Sequence, residues 1–141
     1  MLYEEYEELR TQYKTAQENY AELLEEKESL FLRTQPSAVA YDKDSVSIGS
    51  PKDVFADYVG QIECVDARLK IAEGILNNRH TLLKHKEEEL RKSKDIYNVI
   101  YVYRYIDGVK AKHIVKRVPY SRSQVYNILN KIKMDIERAR N

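Results

Sequence analysis

The stretch Tyr105–Ile136, YIDGVKAKHIVKRVPYSRSQVYNILNKIKMDI, holds two stops and two starts of helical periodicity, and its reading decides the fold. Upstream of it, Ile96, Val99, Ile100, Tyr103 and Ile106 mark one face of a helix that ends at Asp107-Gly108, a helix-stop pair. The β-branched run NVIYVY at 98–103 leaves a strand open as the alternative. A short helix is expected from about Lys110 to Arg117, with Ile114 and Val118 inward. Pro119 and Tyr120 make the turn. The last helix opens at Ser121 and buries Val125, Ile128 or Leu129, Ile132 and Ile136. Ser121 and Gln124, three residues apart, have the spacing of a capping box, in which each side chain satisfies a free backbone N–H of the first turn. Three helices joined by short turns, the last one basic, make a helix-turn-helix arrangement.

Outward from this module, the rest of the chain reads as two long helices. Leu2, Leu9, Ala16, Leu23 and Leu30 take d-like positions, and Tyr6, Tyr13, Tyr20 and Lys27 take a-like ones, so residues 1–33 form a coiled-coil-like seam. Thr34–Pro51 collects Pro, Ser, Gly and Asp without periodicity and reads as a linker or extended loop. Ser50-Pro51 suits a helix start. Over 52–94 a second seam follows: Phe55, Tyr58, Ile62, Val65, Leu69, Ala72, Leu76, Arg79, Leu83, Lys86 and Leu90. The two seams can close as a hairpin within one chain or pair between two chains as a homodimer. Gly60 and Gly74 each cost about 1 kcal/mol relative to Ala inside a helix, a cost that close helix approach would offset. The fold class expected is therefore all-α, a long helical hairpin followed by a three-helix module at 95–141.

The charge is distributed unevenly along the chain. The net charge of +1 combines −5 over residues 1–33 with +6 over residues 95–141. A basic end of this kind suits a polyanion, while pairing of the acidic and basic ends is the rival explanation. With Val125, Leu129 and Ile132 inward, Arg122, Ser123, Gln124, Tyr126 and Asn127 are the candidates for reading bases. Arginine can bond guanine O6/N7 in bidentate fashion, and Asn or Gln can do the same with adenine N6/N7. Lys110, Lys112, Lys116, Arg117, Ser121 and Lys131 are the candidate phosphate contacts, which position the helix without reading sequence.

The Tyr105–Ile136 segment resembles the helix-turn-helix of sigma-70 region 4: a helix ending in Gly, a short helix with a buried Ile, a turn, then Ser-Arg/Pro-x-x-Val. The larger plan, a coiled-coil segment, a Ser/Pro linker, a second long helix and this ending, is similar to phage and mobile-element transcriptional regulators of the ArpU/RinA type. The resemblance implies promoter binding that activates late phage or element genes, with RNA polymerase as a candidate partner. Val115 stands where such motifs usually carry Ala or Gly, and Pro119 where a turn Gly is common. Both departures imply a wider helix crossing.

Other functions find less support. One cysteine, Cys64, excludes an internal disulfide framework and suits a reducing cytoplasm. The acidic amphipathic N-terminus is unlike a secretory signal, and the run YNVIYVYRYI is about half a membrane span. His80 and His85 are five apart and do not stack on one helical face as metal ligands of an HExxH helix would. His113 reads as a surface group or phosphate neighbour. No catalytic residue, metal site or cofactor is expected. Tyr97, Tyr101 and Tyr105 form a stripe that either broadens a core contact with a long helix or faces a dimer or polymerase partner. A small terminase-like DNA-packaging subunit and a coiled-coil adaptor that binds no DNA remain the rival readings.

Overall fold

The computed structural model describes residues 1–33 and 51–140, with side chains in the second stretch described from Ala56 onward. The linker, the Ser50 cap and the Phe55 side chain therefore lie outside the described residues. Every regular element described is helical: α1 (Leu2–Arg33), α2 (Pro51–Lys92), α3 (Ile96–Tyr101), a π-helical turn (Val102–Ile106), α4 (Ala111–Arg117) and α5 (Arg122–Arg140). The protein is all-α, and NVIYVY is helix, not strand.

The chain divides into two compact bodies, one of residues 14–78 and one of residues 1–13 with 79–141. In the first, the two seams meet within a single chain. Leu23, Val65, Leu69 and Ala72 bury one another, with Tyr20 and Leu30 packed at their edge. Lys27, the polar exception on the first seam, reaches Asp66 at 2.7 Å, and Glu26 pairs with Arg68 at 3.6 Å. The helical glycines do not mark a close approach. A Cβ built at Gly60 or Gly74 would meet nothing within 4 Å, so the propensity cost at both positions has no packing return in the described structure.

The second body is built around tyrosine. Its core joins Tyr3 and Tyr6 of α1, Leu90 of α2, Ile100 and Tyr101 of α3, Ile114 of α4, and Val125, Ile128, Ile132 and Ile136 of α5. Ile128 is buried and Leu129 only half-buried, which resolves the alternative left by the sequence. Tyr101 is the hub. Its ring stacks on Tyr3 at 5.5 Å and on Tyr105 at 5.1 Å, and it meets Tyr6 edge-on at 5.9 Å. The Tyr101 hydroxyl donates to Glu7, and the Tyr3 hydroxyl donates to Asp135. Burial, reinforced by these carboxylates, pushes both phenols well above the usual tyrosine range. The tyrosine stripe of the sequence is thus a core contact with the long helix through Tyr101 and Tyr105.

The polar positions late in the second seam also find partners here. Arg79 donates to Gln12 at 2.9 Å, and Lys86 bonds Glu5 at 2.8 Å and Glu89 at 3.2 Å. The Lys86 ammonium holds the Glu5 carboxyl below its ordinary range. Between α2 and α3 the chain turns through a small polar corner. Asp95 caps α3 by accepting from the Tyr97 N–H at 2.8 Å, and the Ser93 hydroxyl accepts from the buried Asn98 carboxamide at 2.9 Å.

Candidate nucleic-acid interface

The helix before the turn does not run straight to its stop. After Tyr101 it widens into a π-helical turn, closed by the Asp107 N–H on the Val102 carbonyl at 2.9 Å. Gly108 then takes φ +68°, a left-handed conformation that favours glycine. The Val109 N–H reaches back to the Tyr103 carbonyl at 2.8 Å, and Lys110 caps the start of α4. Ile114 is the buried anchor of α4, with Val115 and Val118 packed against the same core. Lys112, His113, Lys116 and Arg117 are left on its exposed sides.

The start of α5 follows the spacing of its sequence. The Gln124 N–H donates to the Ser121 hydroxyl at 3.2 Å, and the Ser121 N–H donates to the Gln124 carboxamide oxygen at 3.2 Å. This is a closed capping box. It gives Gln124 a structural role at the helix start. Bidentate contact with adenine needs the carboxamide oxygen as an acceptor, and that oxygen is the one bound to Ser121. Gln124 is exposed, but in this geometry it serves the helix.

The other candidates for base contact are distributed around the exposed side of α5. Arg122 stacks over the half-buried Tyr126 ring at 5.4 Å, a turn further along, and so occupies one flank. Ser123 and Asn127 are exposed on the side opposite Val125 and Ile132. Asn130 and Met134 continue that line and are exposed too. Both escape a reading confined to the first turns of the helix, although their spacing of three and four from Asn127 is the signal that places them.

Among the candidate phosphate contacts, Lys110, Lys112, Lys116, Arg117, Ser121 and Lys131 are all exposed. Two of them are braced against aromatic faces, Arg117 over Tyr103 at 5.9 Å and Lys131 over Tyr97 at 4.8 Å. Helical geometry puts Lys131 on the flank of α5 opposite Arg122, away from α4. Among the described residues, none of Lys110, Lys112, Lys116, Arg117 and Arg122 has a carboxylate ion-pair partner. Three of the module's four acids are engaged elsewhere: Asp95 caps α3, Asp107 pairs with Arg91 at 2.9 Å, and Asp135 accepts from Tyr3, while Glu137 is exposed near the C-terminal end of α5. The α4–α5 face therefore keeps its positive charge.

Other features of the chain do not compete with this face. His80 lies 5.5 Å from the Tyr13 ring, and Cys64 is exposed. Among the described residues, no group of three or more His, Cys, Asp or Glu side chains is arranged to hold a metal ion, and no helix is long and apolar enough to cross a membrane. A groove of about 700 Å³ is lined by Glu4, Glu5, Glu7 and Glu8 with Ile136 and Arg140, an acidic surface unsuited to a polyanion. No protein-family pattern, curated protein or solved structure matches the chain.

Proposed function

We propose that this chain is a sequence-specific DNA-binding transcriptional regulator that docks α5 in the major groove of double-stranded DNA. The observation that carries the reading is the unneutralised basic face of α4 and α5 around a capped helix start. Lys112, Lys116 and Arg117 supply phosphate contacts that hold the helix in place. Arg122, steadied over Tyr126, offers a bidentate donor to guanine, and Asn127 offers a carboxamide to adenine. On the family resemblance, the regulated genes belong to a phage or mobile element, the effect is activation, and RNA polymerase is the partner. No catalytic step and no cofactor enter this role.

The test is binding of the full chain to duplex DNA over a salt series. Phosphate contacts make affinity fall steeply as salt rises. Arg122→Ala is expected to cost about 1–3 kcal/mol and to relax base preference, whereas Lys116→Ala is expected to weaken all sequences alike and lower the salt slope by about one. A second reading, a helical adaptor that binds no DNA, is favoured by the exposed Leu24, Phe31, Ile71 and Ile75 on the long helices. Absence of duplex binding at low salt would select it.

A further inference from the structure

Resting on the DNA-binding reading, we infer that Asn127 and Asn130 together are the adenine-reading pair of α5, and that they select two adjacent A·T base pairs. Ser123, Asn127, Asn130 and Met134 follow one another at intervals of four, three and four, so they form a single line along the helix. That line lies opposite Val125 and Ile132, both completely buried, and it projects furthest from the module. Its neighbours are committed to other work. Gln124 has its carboxamide oxygen in the capping box, Lys131 leans on Tyr97, and Arg122, over Tyr126, stands on the flank as the guanine donor. Neither Asn127 nor Asn130 makes a side-chain hydrogen bond among the described residues. Each keeps both its donor and its acceptor for a ligand.

The chemistry of the line selects its target. A carboxamide donates to adenine N7 while accepting from adenine N6, a pairing that guanine, with acceptors at both positions, does not match. Three helical residues rise roughly 4.5 Å, close to the roughly 3.4 Å step between base pairs along one strand. The two carboxamides therefore address neighbouring pairs, not the same one. Further along, Met134 is 60% exposed, an unusual cost for a large apolar side chain. In the major groove its natural neighbour is the thymine methyl group. The line carries no carboxylate, the usual partner of cytosine N4, and no cationic side chain for bidentate bonding of guanine.

Selection of bound duplexes from a random pool, with the full chain and with Asn130→Ala, tests the assignment. The wild-type chain is expected to enrich a motif containing two adjacent A·T pairs. Asn130→Ala is expected to relax one of the two while keeping the other, and to lower affinity for the selected site by about 5- to 150-fold. Its binding to unrelated duplex at low salt should stay unchanged, because the residue touches no phosphate in this assignment. Asn130 is exposed, so helical content and melting temperature should match the parent. A motif with G·C at these positions, or one that Asn130→Ala leaves intact, would overturn the inference and leave DNA binding standing. Failure of every duplex to bind at low salt would remove both the inference and the reading beneath it.

Discussion

The body of residues 14–78 and the body of residues 1–13 with 79–140 draw on the same two long helices but are held together differently. Among its described residues the first has five buried apolar ones, two of them alanine, with ion pairs exposed beside them. The second buries eleven apolar or aromatic residues from five helices, and two of its tyrosine hydroxyls are tied to carboxylates. A two-helix seam buries one stripe of each helix, whereas a module of several short helices surrounds its central residues. The C-terminal helix α5 thus stands on the better-packed of the two bodies. The docking proposed for α5 needs side chains held to within a fraction of an ångström, which such packing supplies.

Core truncation should separate the two halves most strongly. Ile132→Ala, at a completely buried position, is expected to cost about 3–5 kcal/mol, whereas Leu69→Ala in the seam should fall near the lower end of the range, about 2 kcal/mol. Urea unfolding followed by circular dichroism measures both, and equal losses would remove the contrast. Next in size is Tyr101→Phe, which deprives the buried Glu7 carboxylate of its hydroxyl donor and should cost about 1–3 kcal/mol. Glu7→Gln made with it gives the coupling energy of the pair.

The same tyrosines set a limit on alkaline stability. A free phenol in the unfolded chain ionises near pH 10, while burial and adjacent carboxylates raise the folded-state values for Tyr101 and Tyr3. The folded chain therefore binds more protons than the unfolded chain above that pH. Stability is fully present below about pH 10 and drains away as pH rises beyond it. Phenolate absorbance should show these two groups titrating together with unfolding, later than exposed tyrosines. A titration that precedes loss of helix would contradict the buried assignment.

Smaller effects distinguish two glycines of opposite meaning. Gly108→Ala, at φ +68°, is expected to destabilise by about 1 kcal/mol, whereas Gly74→Ala, in open space on α2, should stabilise by up to about 1 kcal/mol. Thermal melts of the pair of variants give the signs. Smallest of all, removal of the exposed Lys27–Asp66 ion pair by Lys27→Ala should change stability by no more than about 1 kcal/mol, and less in high salt.

Periodicity made the helices legible. Steps of three and four identified Tyr6, Ala16, Leu23, Val65, Leu69 and Ile132, because a core-facing stripe repeats with the helix. Capping chemistry made the start of α5 legible as well, since Ser121 and Gln124 need only each other. What periodicity does not carry is the identity of the partner. The seams alone allowed a hairpin or a dimer, and in the structure Leu23 packs against Val65 and Leu69 of the same chain. Tyr3 and Glu7 were hidden for a related reason. They lie beside the heptad seam on α1, and they are buried because a different set of helices, α3 and α5, covers that flank. A glutamate in an acidic helix reads as solvated until a tyrosine 94 residues away is seen to reach it. For the interface, Gln124 could be assigned only by its hydrogen bonds, and Asn130 only by the extent of exposed face on α5.

The bond between Tyr3 and Asp135 spans 132 positions of the chain. On a ribosome adding about 5–20 residues per second, Asp135 follows Tyr3 by roughly 7–26 s. Through that interval the N-terminal tyrosines wait without the helices that cover them, and no unfinished product can complete the core beneath α5. Premature termination anywhere before the last helix thus yields a polypeptide with an uncovered aromatic face.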